Sequence, residues 1–398
     1  MKLLLYYASM RFSGRTAGFH CDNAIAALSQ KLNTEGMVIL NLSDSNPTRQ
    51  GLVPDGVLDG LVGSGSLEYH PDPRGLASAR IALASYFGGS PDDYFLTAST
   101  SEAYSWLWKL LCDPGDAILV PQPGYPLFDH LAKLDAIKTI PYKLEYSHPA
   151  GWSIDIEYLR SVAVTSHAKA LVLINPNNPT GSFVSAYERN AIVEVCADTG
   201  MALVADEVFF GYDLEARPDR SRLGDEERCL VFSLDGLSKL LCLPQFKLGW
   251  IRISGPLSTA REAAMRLEVI ADAYLSAATP VMNALPGLLA KVDDFRQTVL
   301  DRLESNLHMV HSVFDGHDSP YRVLRCEGGW TALLEYPRFL DEEQTVLGLM
   351  RNEAVSVQPG YFFDMEKDGY LALSLILDPS KLREGLHRVR RYLESMRV

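Results

Sequence analysis

The sequence predicts an α/β protein with a mostly parallel central sheet in a large domain, joined to a smaller α+β domain. Between residues 93 and 254, short apolar runs alternate with longer segments of helical character, a rhythm typical of parallel strands connected by helices. The runs are continuous rather than alternating in polarity, as expected for strands that helices cover on both faces. Seven runs fit this description, at residues 94–98, 117–121, 136–141, 169–175, 202–206, 229–234 and 248–254.

After Pro256 the pattern changes to long helical segments and then to short strands. The second domain is expected to form here, and the first 45 residues, mostly polar and helical, are expected to fold back onto it. We therefore predict a large domain at residues 46–280 and a small domain formed by residues 1–45 and 281–398. The helices of the second part are predicted at Leu257–Ser276, Asn283–Val313 and Lys381–Met396, and its strands at Thr331–Tyr336 and Tyr370–Leu377.

Composition excludes several classes of protein. The 398 residues are 47% hydrophobic, which rules out intrinsic disorder, and carry a formal net charge of −13. No Lys/Arg run offers a footprint for a nucleic acid or an anionic membrane, so neither partner is expected. The six cysteines form neither a CxxC pair nor a zinc pattern and are interpreted as reduced thiols, with no metal. No apolar stretch approaches the ~20 residues that span a bilayer, so the cytoplasm is the expected location.

Polar segments follow five of the predicted strands. Ligands bind open α/β sheets at the carboxyl ends of the strands, so these segments are expected to face one crevice. Each segment alone has an ordinary structural interpretation, as a turn, a helix N-cap or a surface lysine. Their combination in this order is what favours a binding site. The segments are Ser99–Ser101 (STS), Gln122–Phe128 (QPGYPLF), Asn175–Gly181 (NPNNPTG), Asp206–Glu207 (DE) and Leu237–Lys239 (LSK).

Over residues 36–390, these motifs resemble those of the pyridoxal 5′-phosphate (PLP) enzymes of aminotransferase class I/II, fold type I. The resemblance implies that Lys239 forms a Schiff base with PLP and later moves a proton between the substrate carbon and the cofactor. Asp206 would accept a hydrogen bond from the protonated pyridine nitrogen, and Asn178 would donate one to the phenolic oxygen. Tyr125 would stack on the ring. The large domain would thus be the PLP-binding domain.

The resemblance also implies a phosphate site. Ser99, Thr100 and Ser101 would bind the phosphate with hydroxyls and with the backbone amides of the latter two, at a helix N-terminus that favours an anion. Ser238 and Lys247 would complete this site. Tyr69, in EYHPDPRG, matches a family tyrosine that reaches the phosphate of the neighbouring subunit, which implies a homodimer with shared sites.

Two departures from the family pattern concern the cofactor. Lys247 stands where arginine is common, which keeps the charge but loses the planar fork that binds phosphate bidentately. Phe209 stands where a tyrosine usually donates a hydrogen bond to the phenolic oxygen. Losing that donor is expected to raise the pKa of the Schiff base.

The third departure concerns the substrate. The family normally has an arginine that binds the substrate α-carboxylate in a strand near the C-terminus, and Ala372 occupies the expected place in Gly369–Ser374. Either this register is wrong, the carboxylate is held elsewhere, or the substrate is not a standard α-amino acid. Candidate replacements are Arg49, and the pair Arg322 and Arg325.

The leading prediction is a PLP-dependent aminotransferase that moves an amino group between an amino acid, or a related amine, and a 2-oxo acid. Phe209 and Ala372 support an alternative, a PLP-dependent decarboxylase, lyase or cyclase of the same fold type. A non-catalytic PLP-sensing regulator would need a DNA-binding head, for which the chain has neither spare length nor a basic patch.

Overall fold

The structure, a computed structural model, describes residues 12–17, 23–338 and 341–396. Cys21 lies outside these residues. The strands are β1 (Leu40–Asn41), β2 (Tyr94–Thr97), β3 (Ala117–Gln122), β4 (Lys138–Ser147), β5 (Gly151–Ile154), β6 (Ala170–Ile174), β7 (Ala202–Asp206), β8 (Val231–Gly236), β9 (Gly249–Ser254), β10 (Arg322–Val323), β11 (Thr331–Glu335), β12 (Val355–Ser356), β13 (Gln358–Pro359) and β14 (Tyr370–Ser374). The helices are α1 (Ala24–Thr34), α2 (Ala77–Phe87), α3 (Thr100–Leu111), α4 (Leu127–Leu134), α5 (Ile156–Ser166), α6 (Ala186–Thr199), α7 (Leu237–Leu240), α8 (Leu257–Tyr274), α9 (Thr279–Leu289), α10 (Val292–Phe314), α11 (Glu342–Glu353) and α12 (Pro379–Ser395).

The central sheet has eight strands in the order β2-β9-β8-β7-β6-β3-β4-β5. Its inner pairs, from β4 through β3, β6 and β7 to β8, are parallel, whereas β9 and β5 run antiparallel to their neighbours. All seven predicted strands are present, and the mostly parallel α/β class is confirmed. Strand β5 was not predicted.

Helices cover both faces of this sheet. On one face, α3 packs Trp106 and Leu107 against sheet residues such as Val172 and Phe232. On the other face, α5 and α6 pack against alternate residues of the same strands, including Leu203. Every residue of β6 and β7 is buried, which explains the continuous apolar runs in the sequence.

The second part of the chain forms a four-stranded antiparallel sheet in the order β10-β11-β14-β13. The short strand β1 pairs with β12 in parallel, Leu40 opposite Val355. Ile25 and Leu32 of α1 belong to the apolar core that α10, α11 and α12 share. Residues 23–41 therefore lie on the C-terminal elements, as expected. Residues 12–17 instead contact α4 of the large domain, where Arg15 Nη1 donates to the Leu134 carbonyl at 3.3 Å. The domain boundaries at residues 45/46 and 280/281 stay a prediction.

Two predicted elements differ from the structure. The single helix expected at Asn283–Val313 is two helices, α9 and α10, separated at Ala290 and Lys291. The sequence carries a signal that was overlooked, the Pro286–Gly287 dipeptide, which is typical of a helix interruption. The helix α9 nevertheless contains Pro286, and the break comes three residues later. The last helix begins at Pro379, earlier than expected, because the Asp378 side chain accepts hydrogen bonds from the first backbone N–H groups.

Among the described residues, the search for a membrane-crossing helix finds none of sufficient length and apolarity. Within the same residues, no cluster of His, Cys, Asp and Glu has the makings of a metal site.

Candidate active site

A cavity of about 230 Å³ opens where β2, β3, β6, β7 and β8 end. The five polar segments that the sequence places after these strands all contribute to it, so the expected crevice exists. Eight of the predicted site residues line the cavity: Thr100, Ser101, Tyr125, Asn178, Asp206, Phe209, Ser238 and Lys239. Their roles stay predictions.

Lys239 lies on α7, directly after β8, and its half-buried side chain lines the cavity. Its Nζ is 4.8 Å from the ring centre of Trp330 and 5.2 Å from that of Phe209. Burial lowers the pKa of Lys239, against the opposing charges of Cys242 and Asp206. Across the described residues, no carboxylate lies within ion-pair distance of this nitrogen. The amine is therefore more readily deprotonated than a surface lysine, as a nucleophile requires.

Asp206 ends β7 and is 8% exposed. Its Oδ2 accepts a hydrogen bond from Tyr104 Oη at 2.7 Å, and its Oδ1 accepts one from the backbone N–H of Val208 at 3.2 Å. Burial raises the pKa of Asp206, whereas the hydrogen bond from Tyr104 lowers it. These bonds fix the orientation of a carboxylate inside the cavity.

The N-terminus of α3 contributes Thr100 and Ser101 to the cavity. Ser99 is the N-cap, and its side chain accepts from the backbone N–H of Glu102 at 3.2 Å. The N–H groups of Thr100 and Ser101 have no carbonyl within the helix to bind, as in the first turn of any helix. A Cβ at Gly249 would stand 3.3 Å from the Thr100 nitrogen, so glycine allows β9 to approach this helix end closely.

Two asparagines of the NPNNPTG segment form hydrogen bonds within the protein, and the third lines the cavity. Asn175 Oδ1 accepts from the backbone N–H of Val184, and Asn177 Oδ1 accepts from Thr180 Oγ1. Asn178 instead lines the cavity, and its Oδ1 accepts from Thr331 Oγ1 at 3.5 Å. Its NH₂ group therefore remains available to a ligand.

Four predicted site residues do not line the cavity of the single chain. Ser99 acts there as the cap of α3. Arg49 is exposed in the short helical turn Pro47–Arg49, and Lys247 and Tyr69 are also exposed. The structure thus brings none of these three side chains to the other site residues, and their predicted roles stay predictions.

The structure places Ala372 on the cavity wall, in β14, opposite Leu333 of β11 and Gln358 of β13. A small apolar side chain therefore stands where the family arginine is expected. The proposed replacements are engaged elsewhere. Arg322 lies 3.3 Å from Glu335, and Arg325 Nε donates to Glu215 Oε1 at 3.0 Å.

Sequence reasoning missed several residues that line the cavity, among them Tyr104, Trp330 and Ser374. Tyr104 follows Thr100 by four positions in a helix and so lies on the same face, which the spacing could have shown. Ser374 follows Ala372 by two positions in a strand, with the same consequence. Trp330 lies in the turn before β11, where no periodicity gives a signal.

The family model described as aminotransferase class I and II matches residues 39–389. A glutamate-pyruvate aminotransferase AlaA of Haemophilus influenzae is 27% identical over 386 residues, covering 92% of this chain and 93% of the relative. An alanine aminotransferase of Mycobacterium tuberculosis is 28% identical, covering 92% and 88%. The crystal structure of an aminotransferase from Escherichia coli superimposes with a TM-score of 0.85 at 22% identity, covering 97% and 98%, and shows the shared fold. The chain therefore belongs to the class I and II aminotransferases, fold type I enzymes that use PLP.

Proposed function

We propose that Lys239 is the residue that binds PLP covalently in this aminotransferase and that it moves the proton during amino transfer between an amino acid, or a related amine, and a 2-oxo acid. The observation that carries this assignment is the Lys239 amine, which has no carboxylate partner among the described residues and lines the same cavity as Asp206. A lysine that is partly removed from water without a counter-charge is typical of a functional site.

The residues around the cavity fit the cofactor. When bound, PLP supplies an electron sink for the negative charge that develops at the substrate carbon. Asp206 would keep the ring nitrogen protonated, because a buried carboxylate held by Tyr104 stabilises a nearby positive charge. The NH₂ group of Asn178 would donate to the phenolic oxygen, and Tyr125 would contact the ring face.

The phosphate would bind at the start of α3. The backbone N–H groups of Thr100 and Ser101 are available there, and the helix dipole favours an anion. The Ser238 hydroxyl lies in the same cavity. Lys247 and Ser99 belong to this phosphate site by prediction only.

Lys239 would hold and move the proton at its Nζ. Because burial lowers the pKa of Lys239, a larger fraction of its amine is neutral near pH 7 than for a surface lysine. The rings of Phe209 and Trp330 lie about 5 Å from Nζ, where their faces contact the amine side of the cavity.

Chemical labelling tests the assignment. Borohydride reduction of the PLP-loaded protein should fix the cofactor on one peptide, the one that contains Lys239. Lys31→Ala, a change on the exposed side of α1, should leave the label unchanged. Recovery of the label on another lysine would show that Lys239 is not the residue that binds PLP.

The reaction type is tested separately. Incubation of the loaded enzyme with a panel of amino acids and amines, with pyruvate or 2-oxoglutarate as acceptor, should give a new amino acid in equal amount to the donor consumed. Carbon dioxide released in place of that product would favour the decarboxylase alternative.

We propose a homodimer in which Tyr69 of each subunit serves the site of the other. Exposed apolar side chains support it: Leu58, Val62 and Leu67, just before Tyr69, are 62%, 86% and 91% exposed, and Tyr69 is 62% exposed. Exposed apolar surface of this extent typically marks an interface. Mixing inactive Tyr69→Ala and Lys239→Ala proteins tests it. If Tyr69 crosses the interface, each mixed dimer regains one intact site, whereas a Tyr69 that serves its own subunit restores no activity.

We also propose that the protein works in the cytoplasm. The support is that Cys112, Cys196, Cys229, Cys242 and Cys326 are all free thiols, as in a reducing compartment.

A further inference from the structure

One wall of the active-site cavity carries no charged side chain. This wall, called the neutral wall below, is formed by residues from β11, β13 and β14 and from the N-terminal segment. Its polar members can form hydrogen bonds but hold no charge at neutral pH. Its members include Ser43, Trp330, Thr331, Gln358, Ala372 and Ser374.

The charges of the remaining cavity give a carboxylate no partner. Among the described residues that line it, Lys239 and Asp206 are the charged ones, one of each sign. With Lys239 engaged by the cofactor and Asp206 paired with the cofactor's ring nitrogen, none of the described lining residues of this chain supplies a cation for a substrate carboxylate. A buried carboxylate without a cation is strongly disfavoured, whereas a neutral oxygen group needs only hydrogen bonds.

The neutral wall also holds polar groups that lack a partner. Ser374 is 4% exposed and its Oγ has no hydrogen-bond partner, although its backbone N–H donates to the Leu42 carbonyl at 2.8 Å. The indole N–H of Trp330, which is 3% exposed, is likewise unpaired. Buried hydroxyl and N–H groups are nearly always satisfied in folded proteins. A ligand oxygen in the cavity would satisfy the Ser374 hydroxyl.

We infer that the amino substrate carries a neutral oxygen group, as in a 2-amino alcohol or an α-amino amide, where an α-amino acid has its carboxylate, and that Ser374 Oγ binds this group. The inference rests on the proposed function, because it takes Lys239 to be engaged by PLP. In the full reaction, the amine and a 2-oxo acid exchange the amino group and the carbonyl oxygen. The products are the carbonyl compound of the amine and an amino acid. The same wall predicts a high KM for the 2-oxo acid.

Unreactive ligands test the inference by binding alone. The PLP-loaded enzyme is titrated with 2-methylalanine, its carboxamide and the corresponding amino alcohol, none of which has a hydrogen on the carbon bearing the amine. Affinity is read from the melting temperature and from the absorbance of the bound cofactor. The amide and the alcohol should bind about tenfold tighter than 2-methylalanine or better. Binding of 2-methylalanine as tight as that of its neutral counterparts would overturn the inference.

Variants locate the effect. Ser374→Ala should weaken the neutral ligands about fivefold and leave 2-methylalanine unchanged. Ser233→Ala is the matched control, because Ser233 is also a buried serine with an unpaired Oγ, but on β8 and outside the cavity. It should change none of the three affinities. Ala372→Arg should reverse the preference towards 2-methylalanine. An equal response to Ser374→Ala and Ser233→Ala would contradict the role of Ser374.

The outcome separates this inference from the function on which it rests. If the enzyme transfers amino groups from common α-amino acids at low KM, the neutral-group inference is wrong and the proposed function stands. If no donor supports amino transfer but the neutral ligands bind more tightly, the proposed function is wrong and the preference of the cavity stands.

Discussion

The two walls of the active-site cavity differ in whether hydrogen bonds hold their polar side chains in place. The large-domain wall gathers side chains from five strand ends, and its carboxylate, Asp206, is held by hydrogen bonds from Tyr104 and Val208. The neutral wall presents Ala372 and the unpaired hydroxyl of Ser374. The difference teaches that most of the residues that the family resemblance assigns to the cofactor gather in one cavity, as expected since every PLP reaction needs the same electron sink, while their roles stay predictions. The substrate side departs from the family pattern at Ala372, because that side changes with the substrate.

Lys239→Ala should have the largest effect, because it removes both the nucleophile and the proton carrier. We expect kcat/KM for the best donor to fall by about 10⁴-fold or more. PLP binding, measured by equilibrium dialysis, should become weaker but persist, since the phosphate site that we propose at the α3 N-terminus does not depend on Lys239. The exposed Lys31→Ala variant serves as control and should retain full activity. Activity within tenfold of the unmodified enzyme would show that the large-domain wall works differently.

Asp206→Asn should come second. The amide keeps the shape and can still accept the hydrogen bond from Tyr104, but it loses the charge that keeps the ring nitrogen protonated. One preorganised electrostatic group is typically worth about 3–4 kcal/mol in a transition state. We therefore expect kcat/KM to fall by about 10²–10³-fold. A loss that appears only in KM would mean that Asp206 acts in substrate binding instead.

Most of the fold could be predicted from the sequence because the central strands are buried on both faces, as the all-buried β6 and β7 show. The break between α9 and α10 was signalled only in part: Pro286–Gly287 indicates an interruption nearby, but Ala290 and Lys291, where it occurs, are ordinary helix residues. Strand β5 was missed since Gly151–Ile154 is short and half exposed.

The candidate site divides in the same way. Motif residues at strand ends, such as Asn178 and Lys239, could be predicted because topology brings strand ends together. Trp330 could not, since only the fold brings the turn before β11 over the Lys239 amine. Arg49 was expected to approach the site mouth, but its side chain is exposed and does not line the cavity.

Tyr104→Phe tests what holds the large-domain wall in place, because it removes a hydrogen bond to Asp206 without changing the charge of that wall. The hydrogen bond from Tyr104 lowers the pKa of Asp206, so its loss should raise that pKa further. The acidic limb of the kcat/KM profile should therefore shift to higher pH, and kcat/KM at pH 7 should fall about tenfold. Tyr142→Phe is the matched control, because Tyr142 is a buried tyrosine that donates to the Val172 carbonyl, outside the cavity. A profile that shifts equally in both variants would show that the effect is on stability.

A pair of buried carboxylates lies beside the same wall. Glu207 follows Asp206, and Asp235 precedes the glycine that leads into α7. Arg222 Nη1 is 3.6 Å from Glu207 Oε2 and 3.0 Å from Asp235 Oδ2. Burial outweighs this arginine, raising the pKa of Glu207 to about 7 and that of Asp235 to about 6.

Glu207→Gln should have the smallest effect of these changes, and on stability rather than catalysis. A carboxyl with a raised pKa in the folded state binds more protons there than in the unfolded chain between its ordinary value of 4.5 and about 7. The free energy of unfolding of the parent protein should therefore fall as the pH rises through this window. The glutamine does not titrate, so urea unfolding between about pH 5 and pH 8 should show a decline smaller by on the order of 1 kcal/mol. Part of the decline should remain below about pH 6, where Asp235 still titrates.

The exposed Glu227→Gln variant should follow the parent curve. Parallel curves for all three proteins would mean that Arg222 fully compensates the burial of Glu207. Glu207 and Arg222 would then form an ionised pair beside the large-domain wall at every pH in this range.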